Sequence, residues 1–290
     1  MRAILLVLVL LWLQLFVALI PTWRDGEYYS YGWFVPLLAG GLAWRRWNLL
    51  SPSLHDPAQE SGKPALLPAV FLILAVLLII PLRLIGSADP GWRPPLLAHA
   101  IGVIAITHWL LWRCGGRGLS LGMLPVTLLA LAAVPYPWQF EQHLIRSLTG
   151  IVLTITREAF LLLGRPVELL GERLAIGTEV VDVTDGCSGI RSIQSLVMVG
   201  LFFGELFFLP LGRRIALVVL AGLSAIAFNT LRAWWLADVH FSRGPAAAAA
   251  AHDRIGHTTF LLSAATLWLS AYILLHLTTR HPKVLRRTLC

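Results

Sequence analysis

The 290-residue chain is poor in charge, with 13% Asp, Glu, Lys and Arg, about half the share usual in soluble domains. Hydrophobic residues make up 57%, which excludes an ordinary water-soluble globule. Cysteine is scarce too. Cys114, Cys187 and Cys290 lie far apart without a C-x-x-C spacing, so neither a disulfide framework nor a zinc knuckle is implied and any cysteine chemistry is that of a single thiol. There is no H-E-x-x-H for zinc and no G-x-S-x-G nucleophile elbow, which sets aside two familiar hydrolase designs. No long polar stretch is left to build a second domain, so residues 1–290 are read as one membrane-embedded unit.

What the chain has instead is long apolar runs. A spanning helix needs about 20 mostly apolar residues, and eight segments qualify: about 3–20, 29–44, 65–82, 96–112, 119–136, 189–209, 215–235 and 255–277. The first is longer than a signal-peptide core and has no A-x-A-like site before Pro21, so it is expected to be retained.

The charges then divide by side. Lys and Arg near helix ends stay on the cytoplasmic face. With the N-terminus inside, the inner segments hold 12 basic and 2 acidic residues, the outer segments 11 basic and 12 acidic, and Glu205 falls within the sixth span. The +8 net charge therefore describes topology: both termini cytoplasmic in an inner membrane, with the basic tail Arg280–Arg287 on anionic lipid. Without a basic stripe interleaved with aromatics, nucleic acid is not an expected partner.

The outer segment 137–188 starts with apolar residues at helical spacing (Leu144, Leu148, Ile151, Ile155) among charged ones, as in a helix at the interface. From Pro166 the alternating, β-branched texture around Gly171 and Gly177 predicts a short β-hairpin. The fold class expected is thus an all-α polytopic membrane protein of about eight transmembrane helices, with an outer interfacial helix and a small β-hairpin.

The hairpin delivers Cys187-Ser188-Gly189-Ile190-Arg191 to the mouth of the sixth helix. A thiol at a helix N-terminus, with Arg191 near, is biased toward the nucleophilic thiolate. The seventh helix ends with Asn229-Thr230-Leu231-Arg232. Arginine near membrane depth anchors at the interface, pairs, or serves chemistry by binding a carboxylate or an oxyanion. At the start of the eighth helix, His252, Gly256 and Phe260 share one face. A histidine there can be the base for a thiol, and His240 and His257 compete for that role. Topology brings Cys187, Arg232 and His252 to one membrane face, and together they suffice for acyl transfer.

At these residues the chain resembles the exosortase/archaeosortase family of membrane-embedded cysteine transpeptidases. Cys187-Ser188-Gly189-Ile190-Arg191, Asn229-x-x-Arg232 and His252-x-x-x-Gly256-x-x-x-Phe260 occur in the family's order. The stretch from Tyr28 to Leu37 with Trp44-Arg45-Arg46 is similar to another family signature, although the family commonly has histidine where Tyr31 stands. The resemblance implies Cys187 as nucleophile, Arg232 as catalytic arginine and His252 as its histidine partner, with Ser188, Arg191 and Asn229 in support. No metal or other cofactor is implied. Its implied partners are exported proteins carrying a C-terminal sorting signal, namely a short motif such as Pro-Glu-Pro, a hydrophobic helix and a basic cluster. Cleavage near the motif on the periplasmic face and transfer to a lipid or polysaccharide anchor would follow. The alternatives from other classes are a transporter, for which only Glu205 approaches the midplane, and a non-catalytic scaffold for exopolysaccharide export.

Overall fold

The computed structural model describes residues 2–25, 28–50, 77, 79–89, 92–182 and 189–279. They are mostly helical, and the chain divides into two compact units, Met1–Trp138 and Gln139–Cys290.

The first unit contains α1 (Arg2–Asp25), a 3-10 turn (Ser30–Phe34), α2 (Val35–Leu50), α3 (Ile79–Ala88) and α4 (Pro94–Leu131). As a straight rod the 38 residues of α4 would be about 57 Å long, nearly twice the hydrocarbon thickness. It is not straight. His108 hydrogen-bonds Ser120 Oγ through Nδ1 at 3.1 Å and Thr127 Oγ1 through Nε2 at 2.9 Å. Residues 19 apart would be separated by about 28 Å along a continuous helix, so α4 folds back on itself. The reversal occurs at Gly115 and Gly116, whose backbones leave helical geometry. Gly116, at φ 68° and ψ −167°, occupies a region that essentially only glycine enters.

Helices α1 and α2 pack on α4. Midway along α1, Trp12 donates to Thr107 Oγ1 at 3.1 Å, while Arg46, late in α2, donates to Gly122 O at 2.7 Å. At the other end of the unit a belt of aromatic and polar groups ties the loops together. Trp23 Nε1 donates to Ala133 O, Tyr31 Oη to Ala132 O, and Tyr136 N to Tyr29 Oη. Arg93 lies over the rings of Tyr29 and Trp138. In this chain Tyr31 therefore anchors the end of α4 through its hydroxyl.

The second unit comprises α5 (Trp138–Leu162), strands β1 (Glu168–Leu170), β2 (Arg173–Ile176) and β3 (Glu179–Asp182), then α6 (Ile190–Leu206), α7 (Leu211–Arg243) and α8 (Pro245–Thr279). The expected β-hairpin is a three-stranded antiparallel meander in the order β1-β2-β3. Leu170 pairs with Arg173 and Ile176 with Glu179, so two-residue turns opening with Gly171 and Gly177 set the register. One side of α5, including Leu153 and Phe160, packs with Val167, Leu174 of β2 and Ala237 of α7. Arg165 and Asp238 form an ion pair across the same junction. This core fixes the sheet beside the late part of α7.

Helices α7 and α8 form a long antiparallel hairpin that turns at Gly244, and α6 packs against both. A second core joins Leu196 of α6, Leu217, Ala221 and Ala225 of α7, and Leu267 and Ala271 of α8. At the α6–α7 turn Glu205, 1% exposed, pairs with Arg214 at 2.7 Å, and Arg214 also donates to Leu209 O. Glu205 thus lies in the last turn of α6 and ties a turn together rather than standing alone in mid-span.

Among the described residues four helices are long and apolar enough to cross a membrane: Leu5–Arg24, Pro94–Leu131, Leu211–Arg243 and Pro245–Leu277. The chain is a membrane-embedded helical protein on that ground. Eight spans are not established among the described residues. Helices α2 and α6 have 16 and 17 residues, short of the roughly 20 that a span requires. The segments read as 96–112 and 119–136 are the two arms of one folded α4. Most of the segment 65–82 falls outside the described residues.

Candidate functional site

Three helices of the second unit meet in one place: α6 at its start, α7 about three turns before its end and α8 about two turns after its start. The first is the start of α6, where Gly189 is the N-cap residue with φ 79° and is buried. A Cβ on Gly189 would lie 2.6 Å from Asn229 Cγ and 2.7 Å from its Nδ2. Only glycine meets both demands, the left-handed backbone and the close approach. Asn229 of α7, 4% exposed, is thereby packed against the entry of α6.

One turn further along α7, Arg232 turns to α8. Its Nη2 donates to His252 Nε2 at 3.0 Å. Gly256 faces this bond, and a Cβ there would stand 3.5 Å from Arg232 Nε, an ordinary contact that a larger side chain would exceed. That Nε is buried with no hydrogen-bond partner among the described residues. Arginine has donors only, so Nε2 of His252 is the accepting nitrogen and Nδ1 carries the proton of the neutral ring. Nδ1 in turn faces Asp253 Oδ1 at 3.2 Å. The order Arg232, His252, Asp253 fixes both the tautomer and the orientation of the imidazole, as the outer partner of a catalytic histidine does. Asp253 was not among the residues picked from sequence.

The competing histidines stand apart from this arrangement. His240 lies in the last turn of α7 with its ring edge-on to Phe241. His257 is exposed and, five residues from His252, sits about 140° around α8. Arg191, in the first turn of α6, is exposed. Cys187 and Ser188 lie outside the described residues, and the chain re-enters at Gly189 beside Asn229. A further polar residue that no motif flagged is Gln194, one turn into α6. It is 5% exposed, and neither Oε1 nor Nε2 has a hydrogen-bond partner among the described residues.

Helices of membrane length that gather an arginine, a histidine and an asparagine beside a glycine-capped helix start define a polytopic membrane protein with a polar site where helices meet. A model of the transmembrane exosortase family matches residues 23–269, so the chain belongs to the transmembrane exosortase family. That range leaves out most of α1 and takes in α2 through most of α8, with all the site residues named above. No curated protein and no solved structure matches it.

Proposed function

We propose that the protein is a cysteine transpeptidase that cuts C-terminal sorting signals of exported proteins at the outer face of the cytoplasmic membrane and passes them to a surface anchor. The observation that carries this reading is the bond between Arg232 and His252 across α7 and α8, beside the point where the chain arrives from Cys187. In the sequence Cys187 stands two residues before Gly189, the residue packed against Asn229.

From the resting arrangement we infer an order of events. His252 Nε2 is engaged by Arg232, so the guanidinium must turn toward the substrate before the ring can act as a base. A bound carbonyl, or an acidic group of the sorting motif, offers it a stronger, charge-assisted partner. His252 Nε2, now free, takes the Cys187 thiol proton and the thiolate attacks the scissile carbonyl carbon. Arg232 stabilises the oxyanion as it forms. The C–N bond breaks, His252 returns the proton to the leaving amine, and a thioester remains on Cys187. An amine-bearing anchor or water then resolves it, regenerating the thiol. The basic end of the substrate's hydrophobic helix would stay at the inner face, where Arg213 and its neighbours lie by the same charge rule.

The test is processing of a candidate substrate in cells carrying Cys187→Ala, Arg232→Gln or His252→Ala, read by mass spectrometry of the substrate's C-terminus. Each variant is expected to accumulate the uncut form, with loss of at least a hundredfold for Cys187→Ala. A mature C-terminus with added mass means transfer, and a bare one means hydrolysis. Unchanged processing in Cys187→Ala would end the proposal.

A further inference from the structure

The first unit contains a cavity that the proposed reaction does not use. It holds about 220 Å³ between the end of α1, the end of α3 and the start of α4. Among the described residues its polar lining consists of Thr22, Arg83, Ser87 and His99, without a carboxylate. His99 is 1% exposed, and its Nε2 has no hydrogen-bond partner among the described residues. A buried ring nitrogen left unpaired is unfavourable unless something enters to meet it. Ser87 already donates to Leu84 O, which leaves Arg83, His99 and Thr22 as the donors available to an occupant. A positive, donor-rich, carboxylate-free lining is suited to an anion.

The remaining walls say which anion. Val17 and Ala18 of α1 and Leu82 of α3 are apolar, and Val17 is itself 48% exposed on the face of a membrane-length helix. Thr22 lies in the last turn of that helix and His99 in the second turn of α4. The polar group is therefore set at the ends of the apolar helices, where hydrocarbon gives way to headgroups, and Trp92 lines the cavity at the same level as interfacial tryptophans do. A soluble anion would leave the apolar wall unmatched. A phosphate on apolar tails satisfies both halves.

We propose that this cavity binds the phosphate headgroup of a membrane phospholipid. Arg83 and His99 Nε2–H donate to phosphate oxygens, Thr22 Oγ1 adds a third donor, and the acyl chains run down α1 past Val17. The inference is independent of the reaction proposed above, because it concerns only the first unit and the membrane around it.

The test uses the purified full-length protein in a neutral detergent with three probes: phosphatidylglycerol, diacylglycerol and inorganic phosphate. Native mass spectrometry reads bound lipid and thermal unfolding reads stabilisation. The expected result is one phosphatidylglycerol retained and a raised unfolding temperature, with neither effect from the other two probes. Arg83→Gln and His99→Phe should each weaken retention about tenfold, and Thr22→Val, the mildest change, about threefold. Arg83→Lys, which keeps the charge, should retain more lipid than Arg83→Gln. Equal retention of diacylglycerol would overturn the proposal in favour of a merely apolar groove. Stabilisation by inorganic phosphate alone would overturn it in favour of a soluble anion. Unchanged retention in both Arg83→Gln and Thr22→Val would overturn it outright.

Discussion

Gly189 and Gly256 put opposite demands on a side chain, and substitution separates them. At Gly189 an alanine meets a left-handed backbone and the Asn229 side chain at 2.6 Å. Gly189→Ala is expected to destabilise the protein by about 1–3 kcal/mol from the backbone alone, with a steric part that Asn229→Ala relieves only partly, because Asn229 Cβ itself would lie at 2.9 Å. Unfolding of the two single variants and the double variant in detergent measures both parts. At Gly256 the nearest atom would be Arg232 Nε at 3.5 Å, an ordinary van der Waals distance. Gly256→Ala should therefore be nearly neutral for stability and processing, whereas Gly256→Leu should displace the guanidinium and lose processing about as severely as Arg232→Gln. Equal activity of the Ala and Leu variants would contradict a role for the Arg232–His252 bond. Arg232, His252 and Asn229 could be found in the sequence because each has a motif spacing that places it on a helix face. Asp253 could not. Adjacent helical residues point about 100° apart, and only the ring orientation imposed by Arg232 brings Nδ1 of His252 to it.

At the scale of elements, the turns carry much of the specification. The α6–α7 turn holds the pair of Glu205 and Arg214, with Glu205 fully buried. Removing one partner of such a pair strands the other. Glu205→Gln is expected to cost about 3 kcal/mol, and Glu205→Gln with Arg214→Met should recover most of that, as judged by denaturant titration in mixed micelles. Equal stability of wild type and Glu205→Gln would show the pair to be incidental. The apolar runs of α1, α7 and α8 could be read directly, since length and hydropathy suffice for them. The division of α4 at Gly115-Gly116 was also visible, because two glycines followed by Arg117 interrupt the apolar pattern. The end of α4 at Leu131 rather than near residue 136 follows from Pro135 and Pro137, which cannot continue a helix. Strand β1 escaped notice as a separate strand because three residues, two of them exposed, leave no alternation to detect. The cavity of Arg83 and His99 carries no sequence motif at all, since its polar groups come from three separate helices.

For the molecule as a whole, the lengths of α7 and α8 have a consequence in distance. At 1.5 Å per residue, about 20 residues of α7 from Leu211 cross a hydrocarbon layer of about 30 Å and arrive beside Arg232. About 20 residues of α8, counted back from Leu277, arrive near His257, one to two turns short of His252. The two helices then continue, α7 for about 16 Å beyond Arg232, before they meet at Gly244. Under the proposed function, the pair of Arg232 and His252 would stand at the membrane surface beneath a helical overhang, and a peptide would reach it sideways, out of the bilayer. Such an enzyme would work as a depth gauge: what it would measure is how far the scissile bond lies from the top of the substrate's own hydrophobic helix. Inserting four residues between the sorting motif and that helix should abolish processing or move the cut by about four residues toward the helix, and C-terminal mass spectrometry distinguishes either from a cut that stays with the motif.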